Sequence, residues 1–182
     1  MSTKFVRDWR LKQVDGDASG GQPTFKWFRR SRLVAREYAC LERRQDVHSP
    51  ASSTHVLNLL PLLWLQRRGD LSDVSGGVSC SDQVMATLDI KVAFLEVPQH
   101  TPLSIKLGSR TWVVLNNLPG QRLGACAWYW YLRAFLDESL QFEFCSLQPC
   151  LARTQECAIL IHVDDILYVG GLKHWDEFKE RL

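Results

Sequence analysis

Three aspartates lie in apolar surroundings that do not otherwise favour charge. Asp164 and Asp165 are adjacent within ILIHVDDILYVGG, residues 159–171, and Asp89 is an isolated acid within VMATLDIKVAFLEV, residues 84–97. Like charges this close repel strongly unless a cation lies between them. Hard divalent ions such as Mg²⁺ bind carboxylate oxygens and are completed by waters and substrate phosphates. Two such ions, about 4 Å apart, would hold the attacking and leaving oxygens of a phosphoryl transfer.

Two other interpretations of these side chains remain open. Asp is common in β-turns, and on the dipeptide alone a polar turn at Asp164 and Asp165 is the better interpretation. A zinc site would need thiolate and imidazole ligands, and the spacings of the candidates match no usual zinc pattern. Those candidates are Cys145, Cys150, Cys157 and His162.

The elements that must position the acids follow from local patterns. We expect Asp89 on a strand within residues 84–97, and Asp164 and Asp165 near the bend of a hairpin over residues 158–169. Strands and helices mix without a regular βαβ rhythm, so we expect the α+β class. Further predictions are a strand or hairpin arm at 27–37, a helix over 49–68 that Pro61 kinks or delays, a hairpin turning at Gly108 and Ser109, a helix over 124–142, and an amphipathic helix from Leu172.

Composition bounds the chain to one domain, or part of one. It has 182 residues, of which 46% are hydrophobic, enough for one core. No apolar run of about 18 residues is present, so we expect no membrane span. The N-terminus lacks the features of a signal peptide, and the six cysteines are scattered. We therefore expect an intracellular, cytoplasmic protein that is not secreted.

Basic charge is concentrated near the N-terminus. Residues 1–44 contain 11 Lys and Arg against 5 Asp and Glu, whereas the rest of the chain contains 11 against 15. The densest part is KWFRRSRLVAREY, residues 26–38, in which arginines alternate with aromatic residues. Such a segment can bind phosphates by charge and bases by stacking. A solvated strand face whose arginines cover a core is an equally good interpretation.

Four motifs, in this order, resemble one family. RSRLVAREYA, TLDIKVAFLEVPQ, LPGQRLGACAWYWYLRAF and HVDDILYVG are similar to segments of the reverse transcriptase in Ty1/copia-type retrotransposon polyproteins. The resemblance runs from about Lys26 to the C-terminus. It implies a reverse-transcriptase-like fold of fingers and palm over residues 26–182, C-terminally truncated with the thumb missing. Residues 1–25 are then expected to be a flexible N-terminal segment.

The resemblance also implies a reaction. The chain would be an RNA-directed DNA polymerase in which Asp89 and Asp164 bind two Mg²⁺ (or Mn²⁺) ions and Asp165 is the third acid. The ions would activate a primer 3′-hydroxyl for attack on the α-phosphate of an incoming nucleotide. The implied partners are an RNA or DNA template-primer and deoxynucleoside triphosphates. The alternative is a catalytically inactive retroelement remnant with at most weak nucleic-acid binding.

Other positions carry over from the family by resemblance alone. Phe94 would lie under the nucleotide sugar and exclude a 2′-hydroxyl, although it is also a good core residue. His162 replaces the usual tyrosine before VDD, and Val92 replaces a residue that is usually polar. The loop over 69–82 is longer than expected between the helix and the catalytic strand. The remaining nucleotide-binding candidates are Arg30 and Arg32 at the triphosphate, and Gly120, Gln121 and Arg122 at the nucleotide and template.

Overall fold

A computed structural model describes residues 2–14, 24–36, 49–70 and 83–182. This part of the chain mixes α and β structure, with more residues in strands than in helices. The strands are β1 (Ser2–Val14), β2 (Thr24–Arg36), β3 (Gln83–Asp89), β4 (Pro98–Leu107), β5 (Arg110–Asn116), β6 (Glu143–Phe144), β7 (Leu151–Arg153), β8 (Cys157–His162) and β9 (Asp165–Gly171). The helices are α1 (Thr54–Asp70), α2 (Ala93–Glu96), α3 (Gly124–Leu140) and α4 (Leu172–Arg181).

The largest sheet has five antiparallel strands in the order β3-β9-β8-β7-β6. Strands β8 and β9 form the predicted hairpin, which is confirmed, and β3 pairs with the other side of β9. Apolar and β-branched residues fill the two central strands, a composition suited to burial on a pleated surface. Fully buried members include Ile159, Ile161, Ile166 and Tyr168.

Helix α3 packs its apolar face into the core of this sheet. Trp128, Leu132 and Leu136 recur at four-residue spacing and are all buried, while Phe135 is partly buried against the same core. This confirms the predicted helix and its face.

Helices α1 and α4 complete the core. Helix α1 begins at Thr54, ahead of Pro61, so the proline lies inside the helix and does not delay it. The predicted amphipathic helix α4 is also confirmed, because Trp175 and Phe178 pack against the ring of Tyr168.

The structure differs from the strand expected over residues 84–97 in the second half of that range. Strand β3 ends at Asp89, and Ala93–Glu96 forms the short helix α2. Ala93 and Val97 are both buried, and residues four apart lie on the same side of a helical turn. The apolar run therefore contains two elements, and the change between them follows directly after the acid.

Strands β1 and β2 form a separate two-stranded ribbon. Thirteen residues of each strand pair without a break, from Ser2 opposite Arg36 to Val14 opposite Thr24. The expected strand at 27–37 is confirmed as part of β2, but the expectation of a flexible segment over 1–25 was wrong for residues 2–14. Period-two alternation places apolar residues such as Phe5 and Trp9 on one face of the ribbon, and this pattern predicts a strand. The Gly-rich part of that segment, residues 15–23, lies outside the described residues.

The ribbon is joined to the rest of the fold near its base. The amide of Ala35 donates a 2.8 Å hydrogen bond to the carbonyl oxygen of Pro119. Pro119 follows the β4–β5 hairpin, which turns at Gly108 and Ser109 as predicted. The predicted long loop at 69–82 lies mostly outside the described residues, since only its first two residues are described, as the end of α1.

Candidate functional site

Asp89 and Asp165 face each other across two neighbouring strands. They are the last pair in the register of β3 and β9, and both side chains are exposed. Residues directly opposite each other in an antiparallel pair lie on the same face, with Cβ atoms about 4.5–5.5 Å apart. The fold therefore brings together two of the three predicted acids from distant parts of the sequence.

Asp164 lies in the tight turn that joins β8 to β9. The turn residues are Val163 and Asp164, between the paired residues His162 and Asp165. The carbonyl oxygen of Asp164 accepts a 2.9 Å hydrogen bond from the amide of Ile90. This bond ties the turn to the residue that follows Asp89, so all three acids belong to one small patch.

Two valines beside the acids have a left-handed backbone. Val163 has φ of 59° and Val92 has φ of 54°. A positive φ is unusual for any residue except glycine and is strained for a β-branched one. Strain of this kind costs about 1–3 kcal/mol and concentrates at functional sites. One valine directly precedes Asp164 and the other follows Asp89 by three residues, so both strained positions border the acids.

Trp128 contacts the strained turn from the side of the core. Its indole Nε1 donates a 2.7 Å hydrogen bond to the carbonyl oxygen of Val163, and its ring is buried in the core. No local pattern in the sequence predicts a partner for this indole. The bond connects α3 to the turn that carries Asp164, which makes Trp128 a positioning residue for the patch.

His162 extends the row of side chains to a third strand. It is opposite Asp165 on β8, just as Asp89 is opposite Asp165 on β3. Its Nδ1 lies 2.8 Å from the hydroxyl oxygen of Ser52, a buried residue just ahead of α1. The hydrogen bond fixes the ring through one nitrogen, so the other nitrogen is the one that a ligand could contact. No local pattern in the sequence points to Ser52, which lies 110 residues away in the chain.

The electrostatics of the patch favour a cation. Within the described residues, none of the three acids is in an ion pair with Lys, Arg or His. Like charges directly opposite each other on a sheet are destabilising. In the same part of the chain, no three His, Cys, Asp or Glu side chains are grouped to hold a metal ion by themselves. A hard ion held at these acids would need water and substrate phosphates to complete its coordination.

The arginines predicted to touch the triphosphate lie on the ribbon. Arg30 is exposed on β2, opposite Asp8 of β1. Arg32 is half-buried, and its Nη2 lies 3.5 Å from Oδ2 of Asp8. No hydrogen bond or ion pair between described residues connects either arginine with the acid patch. Arg30 is thus available to a ligand, whereas Arg32 already has an acidic partner.

The segment after Pro119 has a structural role at the base of the ribbon. Gly120 has φ of 89°, and a Cβ on it would lie 2.5 Å from the carbonyl oxygen of Ala35. Gln121 accepts a 2.6 Å hydrogen bond from the amide of Leu118, which closes the local turn. Arg122 is half-buried. The close backbone approach that the glycine permits is to β2, and a nucleotide contact at these positions remains a prediction.

Phe94 belongs to α2 and is half-buried against the core. A Cβ on Gly124 would lie 3.4 Å from the Phe94 ring, so the ring packs over the start of α3. Its partly exposed edge leaves the predicted contact with a nucleotide sugar as a prediction.

The cysteines considered for zinc have the character of core residues. Cys150 and Cys157 are buried, and burial raises the pKa of both thiols. A metal ligand must be the thiolate, so a raised pKa works against ligation. The zinc interpretation gains no support from this arrangement.

None of the helices in the described ranges is both long and apolar enough to cross a membrane.

No protein-family model matches the chain, and no match was found among curated proteins or solved structures.

Proposed function

We propose that the chain is the fingers and palm of a Ty1/copia-type reverse transcriptase, an RNA-directed DNA polymerase. The observation that carries the proposal is the pairing of Asp89 with Asp165 beside a strained turn that holds Asp164. The part of the first quoted motif up to Arg36 lies on β2, which pairs with β1, and residues 162–170 of the last motif form the end of β8, the VDD turn and most of β9. The substrates would be a template-primer and deoxynucleoside triphosphates.

The acids would act as ligands rather than as proton carriers. Bound Mg²⁺ or Mn²⁺ ions would lower the charge of the reacting phosphate and orient the primer hydroxyl. Asp89 and Asp165 offer carboxylates from opposite strands, and Asp164 offers a third from the turn. The resemblance assigns the main role to Asp164, whereas the register places Asp165 directly opposite Asp89, so we expect all three to be required.

Positioning is the other contribution that this reaction requires from a protein. The turn is fixed by Trp128 and by the amide of Ile90, and His162 is fixed by Ser52. The first two bonds would hold the backbone that carries Asp164 in place before a substrate arrives, and the third would hold the neighbouring imidazole. Such preorganisation suits phosphoryl transfer, in which the protein supplies geometry and charge.

An inactive remnant that only binds nucleic acid is the second candidate. The charge of the ribbon favours it, because residues 2–14 and 24–36 contain nine Lys and Arg and one Asp, a formal net charge of +8. Binding of that kind would be tolerant of sequence and would weaken steeply as salt is raised.

Primer extension separates the two candidates. The purified chain is incubated with a primed RNA template, nucleotides and Mg²⁺ or Mn²⁺, beside its Asp164→Ala variant. An Asp137→Ala variant is the matched control, because Asp137 is an exposed acid on α3 away from the patch. Under the proposal the parent and the control extend the primer and Asp164→Ala does not. A folded parent that binds the primed template but extends no primer would reject the polymerase in favour of the remnant.

A further inference from the structure

The β1–β2 ribbon has two chemically different faces. Cross-strand partners share a face, so the register assigns every side chain to one side. We call one side the aromatic face and the other the basic face. The aromatic face carries Phe5, Trp9, Leu11, Phe25, Trp27 and Leu33, with Arg7 and Arg29 between them, and the basic face carries Lys4, Arg10, Lys12, Lys26, Arg30, Arg32 and Arg36, with Asp8 and Phe28.

The aromatic face is uncovered. Trp9 and Trp27 are 65% and 64% exposed, and Phe5, Leu11 and Phe25 are exposed to a similar degree. Clustered exposure of large apolar side chains marks an interaction surface, whereas single exposed residues need no explanation. Here five such side chains share one face of one ribbon, so the face requires a partner.

The geometry of the two tryptophans suits flat ligands in a row. Trp9 is opposite Arg29, and Trp27 is opposite Leu11, so the two indoles are diagonal neighbours on the same face. Diagonal neighbours in an antiparallel pair are about 7–8 Å apart. Successive bases of an extended strand can therefore stack on successive rings, and Arg29, which is opposite Trp9 and two residues from Trp27 on the same face, can contact a phosphate.

Charge identifies the partner as a polyanion. The only acid on the ribbon, Asp8, is within ion-pair distance of Arg10 and Arg32, so it does not repel an anion as a free carboxylate would. An apolar protein partner would match the apolar side chains of the aromatic face, but it would leave Arg7 and Arg29, which lie on the same face, without a counterpart. A duplex would match the charge, but its bases are stacked on each other and their faces are not available to the indoles.

We infer that the aromatic face of the β1–β2 ribbon binds single-stranded nucleic acid, with bases stacked on Trp9 and Trp27 and phosphates held by Arg7 and Arg29 on the same face. The inference goes beyond the proposed function, because this binding needs neither the acid patch nor a metal ion. It holds for an active polymerase and for a silent remnant alike.

The first test measures binding without catalysis. A labelled single-stranded oligothymidine is titrated with the whole chain in the presence of a chelator and without nucleotides, and anisotropy reports the affinity. The variant Trp9→Leu with Trp27→Leu keeps an apolar side chain at both positions and removes both rings. Trp112→Leu on β5 is the matched control, because Trp112 is 52% exposed and is remote from the ribbon in sequence.

Base stacking on an aromatic ring contributes about 1–3 kcal/mol, so we expect the double variant to bind about tenfold or more weakly. Its salt dependence should equal that of the parent, because no cation has been removed. The Trp112→Leu control should bind like the parent. Equal affinity of the double variant and the parent would overturn the inference. Preferential binding of a duplex would overturn it too, as would a parent dimer that the double variant dissociates without any change in binding.

A second measurement uses the unaltered chain, so that a folding defect in a variant cannot decide the outcome. A strand containing 5-iodouracil is photo-crosslinked to the parent, and the modified peptides are mapped. Cross-links at Trp9 or Trp27 are expected. Efficient cross-linking that is confined to residues outside the ribbon would contradict the inference. Because neither measurement involves primer extension, failure of the proposed function and failure of this inference give separate results.

Discussion

The indole Nε1 of Trp128, within α3, donates a 2.7 Å hydrogen bond to the carbonyl oxygen of Val163 in the β8–β9 turn. This bond joins the buried face of a helix to the residue that precedes Asp164. The core thus determines where the turn lies, and the turn determines where its carboxylate lies.

Trp128→Phe keeps an aromatic ring in the core and removes the donor. We expect the free energy of unfolding to fall by about 1–3 kcal/mol, because the ring loses volume and the Val163 carbonyl loses its partner. Denaturant unfolding measures the change. Trp130→Phe is the control, since Trp130 is exposed two residues further along α3. Equal losses in the two variants would mean that the hydrogen bond does not support the turn.

Val163→Gly removes the steric cost of a positive φ. We expect the chain to become more stable by about 0.5–1 kcal/mol, because relief of the strain exceeds the extra entropy that glycine gives the unfolded chain. Val113→Gly, at an exposed strand position in β5, should instead destabilise by a similar amount. Thermal unfolding of both variants checks the opposite signs. If both were destabilised equally, Val163 would not be strained.

Gly120→Ala should be strongly destabilising. Its new Cβ would lie 2.5 Å from the carbonyl oxygen of Ala35, and its φ of 89° is unfavourable for alanine. We expect the free energy of unfolding to fall by about 2–4 kcal/mol, because the backbone near Ala35 must move and the new alanine must adopt a strained φ. Gly108→Ala is the matched control, because φ is 63° there and a Cβ would meet no atom within 4 Å. The free energy of unfolding of that variant should fall by only about 1 kcal/mol.

Asp89→Asn should stabilise the chain when no divalent ion is present. It removes one of two like charges directly opposite each other, which is worth about 0.2–1 kcal/mol. Excess Mg²⁺ or Mn²⁺ should then raise the melting temperature of the parent more than that of the variant, because only the parent keeps all its ligands. Asp137→Asn should respond to the ion as the parent does. An equal response of Asp89→Asn would argue against ion binding at the patch.

Stability should decline at alkaline pH. Burial raises the pKa of Cys157 above its ordinary value of 9.0 and that of Tyr168 above 10.0. Above these ordinary values the unfolded chain therefore releases protons that the folded chain retains. The contribution of the two groups to the free energy of unfolding is present in full below the ordinary values and is lost as the pH rises from them through the raised pKa values of the folded chain. Melting temperatures across this range measure the decline. Cys157→Ala should show a shallower decline, and an unchanged slope would exclude the thiol as a contributor.

Local periodicity predicted the elements that carry most of the candidate site. Residues 158–169 were expected to be a hairpin, and Trp128 and Leu132 were expected on one helical face, because alternation and four-residue spacing are local signals. The same reasoning failed for residues 2–14, where alternating side chains form β1, because the neighbouring Gly-rich stretch dominated the interpretation. It also missed α2, a helix too short to have a periodicity of its own.

Long-range contacts and strained backbone could not be predicted from local sequence patterns. Nothing in the sequence pairs Ser52 with His162, because their hydrogen bond exists only once α1 and β8 are packed together. The positive φ of Val163 runs against the preference of valine. It follows from the two-residue hairpin loop, since such loops favour turns that need positive φ. The three acids could be predicted as site residues from their residue type. That Asp89 and Asp165 lie directly opposite each other follows only from the strand register.

The pairing of β3 with β9 also has a consequence for how the molecule is made. Strand β3 leaves the ribosome before β4, β5 and α3, whereas its partner β9 leaves after them. In a nascent chain, therefore, the edge of β3 that later pairs with β9 has no partner. Pairing the two strands closes a long loop of intervening chain, and such closure is slow. The acid patch can be assembled only after β9 has been synthesised, so conditions that delay synthesis between the two strands should reduce the yield of folded protein before they change anything at the site.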